Sequence, residues 1–438
     1  MARASRSSRF TLYVILVIAQ KRCQLSFDVP ERRLCAPPPT GNGLDALPDC
    51  VLRLHVLPLL RGADKKALRL AAVEVFDCQD ATLADDTLAG FLGSTGPQIL
   101  SQIHAVDVKR CHYVGRPLLA FLRSSCPALR RLSASRWTDS ITLAAICRLA
   151  ALEELDLSHA DGLDDGGLAA LTTLPRLRSL TLAGCRWVGD AGCATLAKIT
   201  TLEALSLAGT AAGPAALDHL SALPRLRRLD LSGCARIDGD ALSCVARISS
   251  LEALELRDPG GAVGAAGLRH VAALPRLREL DLGARFVVDD AAAEGLAACR
   301  ALTSLSVGSF TLLRAPTSAF GTSLRRLAFG GGAASKGLEL LPPLPRLEAL
   351  HITGVDTVTD RVMAAMSRHT TLTEVSLRGG YTLTKAGLAC LLALPNLASL
   401  LVVSCPAAGG AALDAFAAQH PRLRTAASVH AAGVSAAA

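Results

Sequence analysis

Aromatic side chains are scarce in this sequence: phenylalanine, tyrosine and tryptophan together make up 3% of its 438 residues, although 50% of the residues are hydrophobic. Leucine and alanine must therefore fill most of the core. Such uniform side chains suit many similar thin layers better than one large irregular core. Asparagine is also rare, because only Asn42 and Asn396 occur, and neither begins an Asn-x-Ser/Thr sequon for N-glycosylation.

Local motifs for catalysis and phosphate binding are missing as well. The chain has no Gly-x4-Gly-Lys-Ser/Thr loop, no His-Glu-x-x-His zinc motif, no paired Cys-x-x-Cys and no Gly-x-Ser-x-Gly turn. The run Gly330–Gly332 is followed by Ala-Ala-Ser-Lys, which lacks the spacing of a phosphate loop. A Ser/His/Asp triad assembled from distant segments leaves no local motif and stays open at this point. We predict that the protein is not an enzyme and uses no cofactor.

The net charge of +8 is unevenly distributed. Much of it comes from basic residues near the start of the chain, namely Arg3, Arg6, Arg9, Lys21, Arg22, Arg32 and Arg33. The rest of the sequence is close to balanced, and no basic stripe indicates a nucleic-acid partner.

The 14 cysteines follow a repeating pattern rather than a disulfide or metal pattern. One group occupies the same slot in its segment: Cys78, Cys111, Cys185, Cys234 and Cys405. A second group falls in apolar, helix-like stretches: Cys126, Cys147, Cys193, Cys244, Cys299 and Cys390. A buried free cysteine behaves as a small apolar residue, whereas a tetrahedral zinc site needs several converging ligands. We therefore predict reduced, internal cysteines and no metal.

Residues Leu226 to Leu251 show the unit from which most of the chain is built. Leu226-x-x-Leu229-x-Leu231-x-x-Cys234 alternates with the period of a strand that buries one face. Ile237, Leu242, Val245 and Ala246 fit a short helix behind that strand. One unit cannot bury both of its apolar faces, so neighbouring copies must stack on it.

Copies of this unit begin at an average spacing of about 25 residues, within the range of leucine-rich repeats. Their first apolar residues are Ile103, Leu129, Leu152, Leu177, Leu202, Leu226, Leu251, Leu277, Leu302, Leu324, Leu347, Leu372, Leu397 and Leu423. A divergent first copy reads Leu70-x-x-Val73-x-Val75-x-x-Cys78. The array is predicted over 70–425, with weak units at 302–324 and 324–347, and the alanine-rich tail 426–438 is expected to fray.

The stretches LDLSGCARIDGDAL, LTLAGCRWVGDAG and SSCPALRRL resemble the cysteine-containing class of leucine-rich repeats. This resemblance implies an α/β solenoid, a curved horseshoe with one short parallel strand and one helix or 3-10 turn in each repeat. It covers about 14 repeats. Such repeats are common in F-box/leucine-rich-repeat adaptors of ubiquitin ligases.

The segment 44–76, just before the repeats, resembles an F-box. The matching residues begin with Leu47-Pro48-Asp49, continue through Leu52, Val56 and Leu59, and end with the stretch from Asp64 to Val73. An F-box implies docking to the Skp adaptor of a cullin ligase, with Leu47, Pro48, Leu52, Val56 and Leu59 as the docking residues. The alternative interpretation is a helical cap that shields the first repeat.

The segment 1–43 combines a basic start, the apolar run Phe10–Ala19 and a Pro/Gly-rich linker. The run is too short for a membrane span but has the charge and length of a targeting signal. We expect a cytoplasmic or nuclear protein, with targeting or secretion as the alternative if the run is a genuine signal.

Partner binding is expected on the concave face, where the residue between the two strand leucines points outward in each repeat. This column is mildly acidic and suits a peptide or folded protein, although a solvated face without ligand would look similar. Trp137 and Trp187 follow strands and are interface candidates, with core packing as their alternative. The predicted partner-binding residues are Asp107, Lys109, Trp137, Asp156, Thr181, Trp187, Ser206, Asp230, Glu255, Arg257, Asp281, His351 and Arg378.

The sequence thus predicts a protein-binding adaptor, and its resemblance to F-box proteins implies the substrate-recognition subunit of an SCF-type ubiquitin ligase. The alternatives are a leucine-rich-repeat scaffold without a ligase role and a secreted or surface protein.

Overall fold

The structure is a computed structural model. The chain forms two compact units, Met1–Cys185 (unit 1) and Arg186–Ala438 (unit 2). It describes residues 75–77, 100–108, 116–134, 140–258, 263–314, 321–330, 336, 340–354, 358–405, 410–420, 423 and 425–429. The leader 1–43 and several predicted functional residues lie outside the described residues: Leu47, Pro48, Leu52, Val56, Leu59, Lys109 and Trp137.

Unit 1 contains a parallel sheet in which each strand pairs with the next along the chain. Its strands are Val75–Asp77 (β1), Ala105–Asp107 (β2), Arg131–Ser133 (β3), Glu154–Asp156 (β4) and Ser179–Thr181 (β5). Helical segments connect the later strands: Arg116–Ser125 (α1), Ser140–Ile146 (α2) and a 3-10 helix at Gly167–Thr173.

Unit 2 continues the same plan with a parallel sheet and one connecting segment per repeat. The sheet strands are Ala204–Ser206 (β6), Arg228–Asp230 (β7), Ala253–Glu255 (β8), Glu279–Asp281 (β9), Ser304–Val307 (β11), Arg326–Phe329 (β13), Ala349–Thr353 (β14), Glu374–Arg378 (β15), Ser399–Val403 (β16) and Thr425–Val429 (β17). A separate pair consists of Val287–Val288 (β10) and Ser309–Phe310 (β12).

The connecting helices of unit 2 are short. They are Asp190–Leu196 (α3), Pro214–Leu220 (α4), Leu242–Val245 (α5), Ala265–Ala272 (α6), Asp290–Ala297 (α7), Asp360–Met366 (α8), Lys385–Cys390 (α9), a 3-10 turn at Leu391–Ala393, and Gly410–Gln419 (α10). The predicted fold class is confirmed, because a parallel strand and a helix or 3-10 turn recur through both units.

The unit Leu226–Leu251 shows how the core forms. Leu229 in β7 and Leu231 just after it are at most 1% exposed, so the predicted alternation is confirmed. The predicted helix is shorter than expected, since only Leu242–Val245 is helical. Ile237 is fully buried but precedes the helix, because it anchors the turn: its N–H donates to the carbonyl of Cys234 (3.2 Å).

Aspartates at helix starts join successive repeats of unit 2. Asp190, the first residue of α3, accepts hydrogen bonds from the N–H groups of Gly213 (2.7 Å) and Ala216 (3.2 Å) at the start of α4. Asp360 in α8 accepts from the Thr384 N–H (2.8 Å) in the same way before α9. These carboxylates satisfy helix N-terminal donors that would otherwise lack partners.

The β10–β12 ladder was not predicted from the sequence. The two strands are parallel, with Val288 opposite Phe310. Phe310 is fully buried, and its ring meets the ring of Phe329 edge-on at a centroid distance of 5.5 Å. β12 lies in the short repeat 302–324, and β10 lies in the repeat of ordinary length before it.

Two predictions at the ends of the array were wrong. β1 pairs Phe76 with Val106, the strand-centre residue of its repeat. The first copy is therefore shifted by three residues from the predicted Leu70-x-x-Val73 alignment, because Phe76 takes the central position. At the other end, the first residues of the predicted frayed tail form β17 beside β16, with Ala426 opposite Leu400. The small residues that replace leucine in this strand hid it in the sequence.

Candidate functional site

The candidate site is the open face of the sheet, opposite the leucine core. In each short strand the central residue is buried, and the first and third residues point to the other side. In β7, Leu229 is buried, Arg228 is exposed and Asp230 is half-buried. The open face is therefore made of two side-chain columns per unit, one from the first and one from the third strand positions.

The strand register aligns the residues predicted for the third-position column. In unit 1 the aligned residues are Asp107, Ser133, Asp156 and Thr181. In unit 2 they are Ser206, Asp230, Glu255, Asp281, Ser306, Ala328, His351, Ser376 and Leu401. Adjacent members are separated by one strand spacing of about 4.8 Å.

A groove of about 370 Å³ lies on the open face of unit 1. It is lined by Ala105, Val106, Asp107, Arg131, Leu132, Ser133, Glu154, Leu155, Asp156, Ser179 and Thr181. Its carboxylates outnumber its one guanidinium, so the groove is acidic.

One groove carboxylate is held in place by its own turn. The Asp156 carboxylate accepts hydrogen bonds from the Ser158 N–H (2.9 Å) and the Ser158 hydroxyl (2.5 Å). Sequence reasoning missed the first-position members Arg131, Glu154 and Ser179. The strand period was sufficient to identify them, because the residues on either side of a strand leucine lie on the same face of the sheet.

In unit 2 the third-position column carries three consecutive acids, Asp230, Glu255 and Asp281. The Ser206 hydroxyl donates to Asp230 (2.8 Å). Arg257 bridges the other two, since its Nη2 donates to Glu255 (2.7 Å) and its Nε to Asp281 (2.7 Å). Burial raises the pKa of Glu255 above its ordinary value. Arg257 offsets part of this rise, whereas Asp230 and Asp281 raise the pKa further.

The predicted residues outside these clusters are more dispersed. The Trp187 side chain is 69% exposed, so core packing is excluded for it. Arg378 is exposed at the end of β15, and His351 is half-buried between Ala328 and Ser376. Arg257 was predicted as a partner-binding residue, but its guanidinium is already engaged by two carboxylates.

The described ranges contain neither a metal-binding cluster nor a membrane-spanning helix. No group of three or more His, Cys, Asp or Glu side chains there could hold a metal ion. Among the helices of the same part of the chain, none combines the length and hydropathy of a membrane span.

The comparisons with known proteins agree with the repeat architecture. A sequence model described as a Leucine Rich repeat matches residues 151–171, which contain β4. Both units are leucine-rich-repeat solenoids. No curated protein sequence matches the chain.

Solved leucine-rich-repeat structures are similar at low identity. A TLR13–ssRNA13 complex gives 18% identity and a TM-score of 0.48 over 76% of this chain, which spans 51% of that chain. An internalin from Listeria monocytogenes gives 17% and 0.38, covering 70% of this chain and 88% of that one. A leucine-rich-repeat protein from Leptospira interrogans gives 15% and 0.42, covering 79% and 92%. At such scores these neighbours carry no argument about ligands.

Proposed function

We propose that the chain is a protein-binding leucine-rich-repeat adaptor, and that the open face of unit 1 binds a polypeptide segment of its partner. The observation that carries this proposal is the groove over β2–β5, about 370 Å³ in volume. Its volume lies at the lower end of small-ligand sites, which suits a few side chains of a longer chain lying across the sheet.

The groove chemistry favours a partner segment that contains a basic residue. Asp107, Glu154 and Asp156 face a single cation, Arg131. The hydroxyl groups of Ser179 and Thr181 can donate to or accept from a peptide backbone. Because the groove is partly screened from water, a lysine or arginine inserted there gains more from these carboxylates than it would on an open surface.

Filling the groove tests this proposal. Ser179→Trp places a bulky ring in it, whereas Ser124→Trp adds the same ring on the exposed side of α1. We expect affinity capture from a lysate of the source cells to lose a reproducible protein partner with Ser179→Trp and to retain it with Ser124→Trp. Circular dichroism checks that both variants fold. Equal capture by both variants would contradict the proposal.

We further propose, at a finer level, that the chain is the substrate-recognition subunit of an SCF-type ligase. The support is the sequence resemblance of 44–76 to an F-box. No catalytic group is needed, because such an adaptor raises the effective concentration of substrate near the ligase. Deletion of 44–76 should abolish co-purification with the Skp adaptor and cullin. If both still co-purify with the deleted chain, the ligase role is wrong.

Two other functions are alternatives to the ligase role. A scaffold without ligase function would bind its partner at the same groove but would bring no ligase component with it. A secreted or surface protein requires cleavage after Phe10–Ala19, which N-terminal sequencing of the mature chain detects. We propose a cytoplasmic or nuclear location, and an uncleaved N-terminus in the cell would support it.

A further inference from the structure

A row of arginines lies where the chain enters the strands of unit 2. We call Arg225, Arg228, Arg276 and Arg278 the basic edge. All four are exposed. Within the described residues, none of them forms an ion pair. The basic edge lies at the strand entrances, whereas the acidic residues Asp230, Glu255 and Asp281 occupy the third strand positions.

The basic edge arises from a period of two repeats. Within unit 2, the sequence Leu-Pro-Arg-Leu-Arg occurs at 223–227 and again at 274–278. The repeat between them has Ser250 at the corresponding turn position, and its hydroxyl donates to the Leu226 carbonyl (2.7 Å). Arginine therefore recurs at the turn before β7 and at the turn before β9 but not before β8, and two strand spacings separate Arg225 from Arg276 by about 10 Å.

Nearby carboxylates do not neutralise the basic edge, because other arginines engage them. Glu252 pairs with Arg227 (3.6 Å). Glu279 pairs with Arg326 (3.7 Å). Arg225 and Arg276 each follow the proline of a turn and not the end of a helix. Their positive charges therefore do not serve to balance the negative end of a helix dipole. The edge therefore has an uncompensated positive charge directed to solvent.

The spacing of the charges selects between possible anionic partners. A nucleic-acid duplex carries about one charge per 1.7 Å of axis, so its phosphates would also meet Glu252 and Glu279. The edge residues include no aromatic side chain on which bases could stack. An extended polypeptide rises about 3.3 Å per residue, so acidic residues three positions apart repeat every 10 Å or so and match the arginine pairs.

We propose that the basic edge binds an extended acidic polypeptide segment with carboxylates spaced three residues apart. Each carboxylate would accept paired N–H donors from a guanidinium, the geometry that makes arginine suited to carboxylates. This interaction is independent of the groove in unit 1, and it would give the protein a second polypeptide contact.

Fluorescence anisotropy with the full chain tests the proposal. The probe is a labelled 13-residue peptide with glutamate at every third position among serines, compared with a peptide of the same composition whose glutamates are contiguous. We expect the spaced peptide to bind, and Arg225→Gln/Arg276→Gln to weaken it at least tenfold. The matched control is Arg186→Gln/Lys385→Gln, which removes the same charge from two exposed positions beyond the other ends of the strands. It should change affinity less than twofold.

Several results would overturn the proposal. Absence of binding, equal affinity for the contiguous peptide, or equal loss in the control pair would each contradict it. A 20-nucleotide single-stranded RNA and phosphatidylserine vesicles are the competing probes. If either binds the chain more tightly than the peptide does, and the arginine variant loses that binding, the edge is assigned to another polyanion. Ser179→Trp should leave peptide binding intact, which separates this test from that of the groove.

Discussion

Cysteine and threonine share one slot after the strands, and each forms a hydrogen bond there. The Cys185 thiol donates to the Leu157 carbonyl (3.2 Å), and the Cys234 thiol donates to the Leu207 carbonyl (3.0 Å). Thr210 occupies the same slot and also bonds to Leu207 (2.7 Å). In these three repeats the slot therefore holds a small side chain that donates to a backbone carbonyl in the core, and burial raises the pKa of both thiols.

The prediction of buried cysteines was correct only in part. The buried cysteines among the described residues are Cys126, Cys185, Cys193, Cys234, Cys299 and Cys405. Cys147, Cys244 and Cys390 are half-buried, so the prediction was wrong for them. They lie in or just after helices, where one turn brings a residue from the core side to the solvent side.

His369 is a buried histidine that is suited only to the neutral form. Its Nδ1 accepts the Leu344 N–H (3.2 Å), while its Nε2 is buried and has no hydrogen-bond partner within the described residues. Burial lowers its pKa to about 4, and the neighbouring Arg368 contributes in the same direction. A protonated ring would lose the acceptor at Nδ1 and place a charge in the core.

The stability of the protein should therefore fall as pH decreases from 6.5 to 4. In this range the unfolded chain binds the proton and folded His369 does not, so the free energy of unfolding decreases by about 3 kcal/mol. Urea unfolding across this range measures the effect. His369→Asn keeps a side-chain acceptor and should reduce the pH dependence by that amount, whereas the exposed control His219→Asn should not. An unchanged pH dependence in His369→Asn would contradict this assignment.

At the scale of elements, the β10–β12 ladder depends on a close backbone approach at Gly308. A Cβ atom there would lie 2.2 Å from the Ala284 carbonyl oxygen and 2.8 Å from that of Phe286. The Gly308 N–H donates to the same Phe286 carbonyl (2.9 Å). Glycine is required because a side chain would separate the two ladders of this repeat.

Gly308→Ala should destabilise unit 2 by about 3 kcal/mol, since backbone atoms must move to admit the methyl group. Gly264→Ala is the matched control, because a Cβ there meets nothing within 4 Å. It should change the free energy of unfolding by no more than about 1 kcal/mol. Chemical denaturation followed by circular dichroism measures both variants. Equal changes in the free energy of unfolding of the two variants would show that the close backbone approach at Gly308 does not determine the stability of unit 2.

The sequence predicts elements well where leucine marks the strand and poorly where other residues replace it. The strands from β2 to β16 in the main sheets follow the leucine spacing. β1 was misaligned because Phe76 is central, and β17 was missed because Ala426 takes the leucine position. β10 and β12 have two residues each, too few to show a period.

The sequence predicted which residues share an outward-facing column of the candidate site. It did not predict which of their side chains contact one another. Spacing identified the column that contains Asp156 and Asp230, because the period of a strand is fixed. It could not show that Arg257 is held between two carboxylates, or that Arg131 and Glu154 complete a groove. Those arrangements depend on which side chains are neighbours across strands, and the sequence of a single repeat does not contain that information.

At the scale of the whole molecule, the leucine core repeats while the outward columns differ from repeat to repeat. Alternating arginine and glutamate at the strand entrances forms ion pairs such as Arg130–Glu153 (3.5 Å) in unit 1 and Arg325–Glu348 (2.7 Å) in unit 2. Exposed pairs of this kind contribute little stability, typically below about 1 kcal/mol. Their pattern instead determines where charge is left uncompensated, and therefore which surfaces can recognise a partner.

The proposed function requires a protein partner to contact the open face of unit 1. The most direct measurement is photo-crosslinking with benzoylphenylalanine introduced at position 179 in the groove or at position 124 on the outer side of α1. We predict that light attaches the captured partner to the chain from position 179 and not from position 124. Crosslinking from position 124 alone would contradict the account, because it would place the partner on the helical side of the repeats.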